Sequence, residues 1–106
     1  RAEAAIGLDN ADQARIDLNT IRARAKATLL TDNSNILEAL LLERRKELCF
    51  EGHLFFDLVR NHKNISRNDG CISTSCGMTY PSSKFVLPIP TFNTNANPNL
   101  KQNESY

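Results

Sequence analysis

Apolar residues recur at helical spacing through the first 63 residues of the chain and then give way to a polar, asparagine-rich sequence. The clearest stripe lies between Ala11 and Lys26, where successive apolar positions are four, three and four residues apart. Its members are Ala14, Leu18, Ile21 and Ala25. Because these offsets follow one face of a 3.6-residue period, they predict an amphipathic helix from about Ala11 to Lys26. Asn10 is its predicted N-cap, with Gln13 as the capping-box partner.

A shorter helical spacing opens the chain within Arg1 to Leu8. No Met and no capping residue precedes it, so we expect this helix to continue from the missing front of a longer protein. Gly7 and the pair Asp9-Asn10 then favour a tight turn. Two helices joined by a tight turn form an antiparallel helical hairpin.

A third helix is predicted to begin near Ile36, after a polar connection, and to reach a break at Gly52. A glycine inside a helix costs about 1 kcal/mol relative to alanine, so we expect a bend there before the apolar pattern resumes at Leu54. The predicted inward-facing residues are Leu37, Leu40, Leu41 and Leu48. The predicted solvent-facing residues are Glu38, Glu43, Arg45 and Lys46. The aromatic residues near the bend are predicted to be core: Phe50, Phe55 and Phe56.

Residues 64–84 form a polar segment rich in Ser, Thr and Asn, which we predict to be a long loop. Cys71 and Cys76 lie within it, and a local disulfide fits the sequence as well as two free thiols do. Cys49 lies in a helical pattern and is predicted to be a small core residue. The three cysteines lack the spacing of a zinc motif, so no metal and no cofactor is predicted.

Residues 85–106 are predicted to form an extended tail. Pro88 and Pro90 restrict their own backbone and that of the residues before them, so this part of the tail cannot be helical. An apolar extended segment needs another part of the protein, or another chain, to pack against. We therefore expect residues 1–106 in isolation to be unstable or to associate with another chain.

The charge balance gives no electrostatic footprint for nucleic acid. The chain has 13 Lys and Arg against 12 Asp and Glu, a formal net charge of +1. The nearest approach to a basic patch comprises Arg15, Arg22, Arg24 and Lys26. We interpret it as a solvated helix face whose charge offsets the helix dipole. Nucleic acid is therefore not a predicted partner.

Candidate acids and bases are present, but their spacing favours a structural role. Three glutamates lie one helical turn apart on one stripe: Glu43, Glu47 and Glu51. Like charges at this spacing repel, so Arg44 and Arg60 are predicted to neutralise them, and Arg60 can also reach Asp57. A single stripe does not supply the two facing carboxyl groups that glycoside hydrolysis requires. His53 has no metal-binding or catalytic motif around it and is predicted to be structural, so no catalytic residue is assigned.

Several segments resemble signatures of the SusD/RagB family. Residues 43–60, ERRKELCFEGHLFFDLVR, are similar to its ER-x-x-EL-x-FEGHR-x-FDL-x-R pattern. Residues 87–106 are similar to its closing LPIP…NPNL-x-QN-x-x-Y. The helix carrying Leu18-Asn19 and Ile21-Arg22 matches A-x-x-x-LN-x-(I/V)R-x-RA, and residues 1–4 match the RAEA start. All four matches occur in the family order and span nearly the whole chain.

The resemblance implies an all-α, non-catalytic nutrient-binding protein of Bacteroidetes. Family members are built around tetratricopeptide-like helix pairs and sit on the outer face of the outer membrane through an N-terminal lipidated Cys. There they hold oligosaccharides or other nutrients for a SusC-like TonB-dependent transporter, without cleaving them. Residues 1–106 are then expected to be the C-terminal segment of a larger SusD-like fold, helical over 1–63, a loop over 64–84 and an extended tail over 85–106.

The matching residues are those of structural motifs, so no ligand-binding residue is carried over. They include Glu43, Arg44, Glu47, Glu51, Gly52, Asp57, Arg60, Pro88, Pro90, Asn97 and Pro98. The family pattern has Arg, Trp and Glu where this chain has Leu54, Phe55 and Asn93, so one cation of the charge lattice is lost. An alternative from another class is a tetratricopeptide-like module that binds protein or peptide. The tail separates the two, because a bare helical solenoid has no need for it.

Overall fold

A computed structural model of the chain describes residues 1–67, 70–73 and 76–106. Its α-helices in these ranges are α1 (Ala2–Gly7), α2 (Ala11–Arg24), α3 (Ile36–Glu47), α4 (Leu54–Arg60) and α5 (Thr91–Ala96). Two short strands, β1 (Ile65–Ser66) and β2 (Gly77–Met78), and a 3-10 helix, Ser83–Phe85, complete them. The chain divides into two compact units, Arg1–Leu54 and Phe55–Tyr106. Helix dominates, in agreement with the predicted all-α class, and the tetratricopeptide-like arrangement stays a prediction.

The first unit is built from α1, α2 and α3, each of which contacts the other two. Asp9 makes the turn between α1 and α2 with a left-handed backbone, φ 54°. The Asn10 side chain accepts the Gln13 backbone N–H at 3.1 Å, which confirms the predicted N-cap. The capping box does not close, because the Asn10 N–H already donates to the Ala5 carbonyl oxygen and the Gln13 side chain donates to Asp17.

Small residues form much of the core of this unit and let the helices approach closely. Its buried apolar residues are Ala2, Ala5, Ala14, Leu18 and Leu40. Of the predicted stripe on α2, Ala14 and Leu18 are buried and Ile21 is half-buried. Ala25 is exposed, contrary to the prediction, because α2 ends at Arg24 and the chain turns away. Leu40 is the buried residue contributed by α3.

The third helix ends at Glu47, before the glycine that was expected to interrupt it. Phe50 and Gly52 both have positive φ, 65° and 78°, so the segment between α3 and α4 leaves the helical path. Its side chains therefore leave the inward-facing stripe. Phe50 and Cys49 are exposed, and the prediction that they are core residues is wrong. Phe56 is also exposed, at 63%, whereas Phe55 is half-buried.

The second unit contains regular structure where the sequence predicted a loop. Strands β1 and β2 pair in antiparallel fashion, Ile65 opposite Met78 and Ser66 opposite Gly77. Cys71 and Cys76, which lie between the strands in sequence, form a disulfide. The structure therefore selects one of the two alternatives left open for these cysteines.

The predicted extended tail is interrupted by a helix. Val86 adopts an extended backbone after the 3-10 helix. Helix α5 then begins at Thr91, directly after Pro90. Proline is tolerated at a helix start because its missing N–H would have no partner there. The helix has only six residues and no buried residue, so no apolar period in the sequence predicted it.

Candidate functional site

The charged residues of the predicted motif form ion pairs within each unit. Arg22 Nη1 of α2 lies 2.6 Å from Glu43 Oε2 of α3, and the two side chains are 15% and 5% exposed. Arg22 Nε also donates to the Thr28 carbonyl oxygen at 2.7 Å. The predictions that Glu43 faces solvent and that Arg22 lies on a solvated face are therefore wrong. Both charges can be buried because the packing of α2 on α3 places them opposite each other.

The remaining motif carboxylates also lie near basic side chains. Glu47 pairs with Arg24 of α2, in a more exposed contact. Asp57, which is buried, accepts a 2.7 Å hydrogen bond from Arg60, so that predicted pair is confirmed. Glu51 lies 3.9 Å from His53 Nε2, with both side chains at least half exposed. Arg44 is half-buried.

An ion pair outside the predicted set joins the first two helices of the fold. Arg1 Nε donates to Asp17 Oδ2 at 2.8 Å, and a second guanidinium nitrogen contacts the other carboxylate oxygen. Gln13 donates to the same carboxylate at 2.9 Å. The hydrogen bond from Arg1 is the main cause that lowers the pKa of Asp17 to about 2. Sequence spacing does not reveal this pair, because its members are sixteen residues apart.

A cavity of about 320 Å³ opens among the first three helices. Leu18, Ile21 and Leu40 supply apolar lining. Four carboxylates also line the cavity: Glu3, Asp17, Glu43 and Glu47. Three of them, Asp17, Glu43 and Glu47, accept hydrogen bonds from arginine, so these three are structural partners and not free bases.

Two side-chain carboxamides each hold one residue of a non-helical segment by both of its backbone groups. Asn19 Oδ1 accepts the Leu30 N–H at 2.8 Å, and Asn19 Nδ2 donates to the Leu30 carbonyl at 3.0 Å. Gln102 holds Ile89 in the same way, with both contacts at 2.8 Å. We call these two arrangements carboxamide clasps. Asn19 and Gln102 stand in the family-like segments, yet sequence reasoning assigned neither a role.

The rest of the closing motif supports the second clasp. Asn103 Nδ2 donates to the Leu87 carbonyl at 2.6 Å. Asn97 accepts the Leu100 N–H through its backbone carbonyl at 3.0 Å and the Asn99 N–H through its side chain at 3.1 Å. These bonds form a turn with Pro98 at its second position, where a fixed φ is favoured. Pro88 and Pro90 flank Ile89 and carry no N–H, so Ile89 holds the one backbone donor among these three residues.

Aromatic rings form a continuous series in the second unit. Phe56 meets Phe55 edge to face at 5.6 Å between centroids, and Phe55 lies 6.3 Å from Phe85. Phe85 is buried and lies 5.7 Å from Tyr80. Tyr80 in turn stacks on His62 at 4.5 Å, with ring planes 12° apart. The dense aromatic sequence predicts core packing for Phe55 and Phe56, whereas no sequence pattern predicts that Tyr80 and His62 belong to the series.

The family model of the SusD family matches residues 1–106. The chain belongs to the SusD family. SusD proteins are generally non-catalytic and serve as nutrient-binding components of SusC/SusD-like systems, typically associated with the outer membrane at the cell surface. No curated protein and no solved structure is significantly similar to the chain.

Two further observations bear on the chemistry of this SusD chain. Across residues 1–67, 70–73 and 76–106, no group of three or more His, Cys, Asp or Glu is placed to hold a metal ion. Among the same residues, no helix has the length and apolar character needed to cross a membrane.

Proposed function

We propose that the chain is the C-terminal segment of a surface lipoprotein that binds oligosaccharides for a SusC-like TonB-dependent transporter and does not cleave them. The observation that carries this proposal is the SusD family match over residues 1–106. The lipidated anchor and further binding surface belong to the remaining N-terminal part of the same protein. The structural motif residues, from Glu43 to Pro98, act as scaffold.

Two features of the chain support this proposal. The buried carboxylates Glu43 and Asp57 are each paired with an arginine, which suits a scaffold better than an acid–base catalyst. The disulfide between Cys71 and Cys76 suits an oxidising compartment, as expected for a protein on the outer cell surface.

The test is a calorimetric titration of the full-length protein with a panel of soluble polysaccharides, followed by chromatography of each mixture after prolonged incubation. We expect binding to one class of glycan and no change in its chain length. Co-purification from detergent-solubilised membranes should recover a TonB-dependent transporter with the protein. Shortened glycan would overturn the non-catalytic assignment, and silence across the panel with binding to peptides would favour the tetratricopeptide-like alternative.

A further inference from the structure

The imidazole of His62 projects from the left-handed residue that ends α4. The Lys63 N–H donates to the Leu58 carbonyl at 2.8 Å and the His62 N–H donates to the Val59 carbonyl at 3.1 Å, which closes α4 as a Schellman motif. His62 occupies the left-handed position of that motif, with φ 55°. Glycine is usual there, but Asp9 and Lys26 occupy the same position at the ends of α1 and α2. The backbone position therefore serves helix termination, and what distinguishes His62 is the ring that stacks on it.

Tyr80 fixes the orientation of that ring. The two planes are 12° from parallel, with centroids 4.5 Å apart. Tyr80 is itself held on two sides, because its N–H donates to Asn64 Oδ1 at 2.8 Å and its ring packs on buried Phe85. His62 is nevertheless exposed. Since Tyr80 covers one face of the imidazole, a ligand would pack on the opposite face.

This arrangement presents a flat, preoriented ring face to solvent with amide chemistry beside it. A pyranose ring carries C–H groups that pack on an aromatic face and hydroxyl groups that hydrogen-bond at its rim. Asn64 uses its oxygen on Tyr80, which leaves its amide NH2 as a donor next to the stack. A ring that is already oriented loses little conformational freedom on binding.

We propose that the stacked pair His62–Tyr80 is a platform for one pyranose unit of a bound glycan, with Asn64 as a hydrogen-bond donor to its hydroxyl groups. This inference rests on the proposed function and names three contact residues for it.

The test uses the full-length protein and three linear probes, maltohexaose, cellohexaose and xylohexaose, titrated by calorimetry. The informative variant is His62→Gly, because glycine suits the left-handed backbone and removes only the ring. We expect its melting temperature to stay level or rise, and its affinity for the bound hexaose to fall about tenfold, as expected for one lost ring contact. The matched control is Phe92→Ala, which removes an 81% exposed ring of α5 and should leave the affinity unchanged.

The outcomes separate this inference from the proposed function. Equal hexaose affinity for His62→Gly and the unaltered protein would overturn the platform and leave glycan capture standing. An unaltered protein that binds none of the three hexaoses would overturn the platform, and silence across the polysaccharide panel as well would overturn the proposed function. A fall in affinity for His62→Gly that Tyr80→Ala repeats, with Phe92→Ala unaffected, would support the platform.

Discussion

The units Arg1–Leu54 and Phe55–Tyr106 are stabilised by different kinds of contact. In the first, small apolar residues and arginine–carboxylate pairs join three helices. In the second, a series of aromatic rings, a disulfide and side-chain amides hold short, irregular segments. A carboxamide clasp is common to both units. The comparison teaches that irregular segments in either unit are held by single side chains, whereas periodic helices are held by whole faces.

The largest expected effect tests the buried charge of the helical unit. Replacing Glu43 by alanine in the full-length protein should lower the free energy of unfolding by about 3 kcal/mol, because Arg22 is left buried without its carboxylate. Urea denaturation measures the loss. The matched control is Glu47→Ala, whose pair with Arg24 is more exposed and should cost less than about 1 kcal/mol. Equal losses in the two variants would contradict the ranking by burial.

A smaller effect tests the clasp of the second unit. Gln102→Ala should cost about 1 kcal/mol, because water replaces part of what the amide supplied to Ile89. Hydrogen exchange of the Ile89 N–H should accelerate, because the substitution removes its acceptor. The neighbouring prolines have no N–H, so they add no signal of their own. Gln102→Glu keeps the acceptor but loses the donor, so its loss of unfolding free energy should lie between that of Gln102→Ala and zero. Asn99→Ala, at an exposed position beside the clasp, should change neither measurement.

A third prediction concerns acid. Hydrogen bonding to Arg1 lowers the pKa of Asp17 from 3.8 to about 2, so between these values the folded state binds fewer protons than the unfolded state. Stability from this pair is therefore complete above about pH 4 and is lost as the pH falls towards 2. Asp17→Asn should flatten this part of the curve of unfolding free energy against pH. An unchanged slope between pH 4 and 2 would contradict the lowered pKa.

Sequence periodicity anticipated the helical unit better than the second unit. The start of α2 and its Asn10 cap follow from local signals, because a cap and an apolar period act within a few residues. The pairing of Arg22 with Glu43 was missed because periodicity assigns charged residues to solvent. Only the packing of two helices places their charges opposite each other.

The second unit was less accessible to the same reasoning. Its two strands and α5 are too short to show a hydrophobic period in the sequence. Its disulfide is not specified by any periodic pattern. The stack of His62 on Tyr80 joins residues eighteen apart through a hairpin that local propensity did not predict. Asn19 and Gln102 lie in segments that resemble the family motifs, but a motif does not specify that they bond to Leu30 and Ile89.

The Ile89 clasp also determines how the apolar tail behaves towards other molecules. Val86 and Leu87 are 56% and 60% exposed, so the tail offers an apolar, extended edge of the kind that recruits neighbouring strands. The side-chain carboxamide of Gln102 bonds both backbone groups of Ile89, as a neighbouring strand would, but it pairs with this one residue only. Pro88 and Pro90 withhold donors on either side. Both backbone groups of Ile89 are therefore occupied, which limits strand addition at this part of the edge.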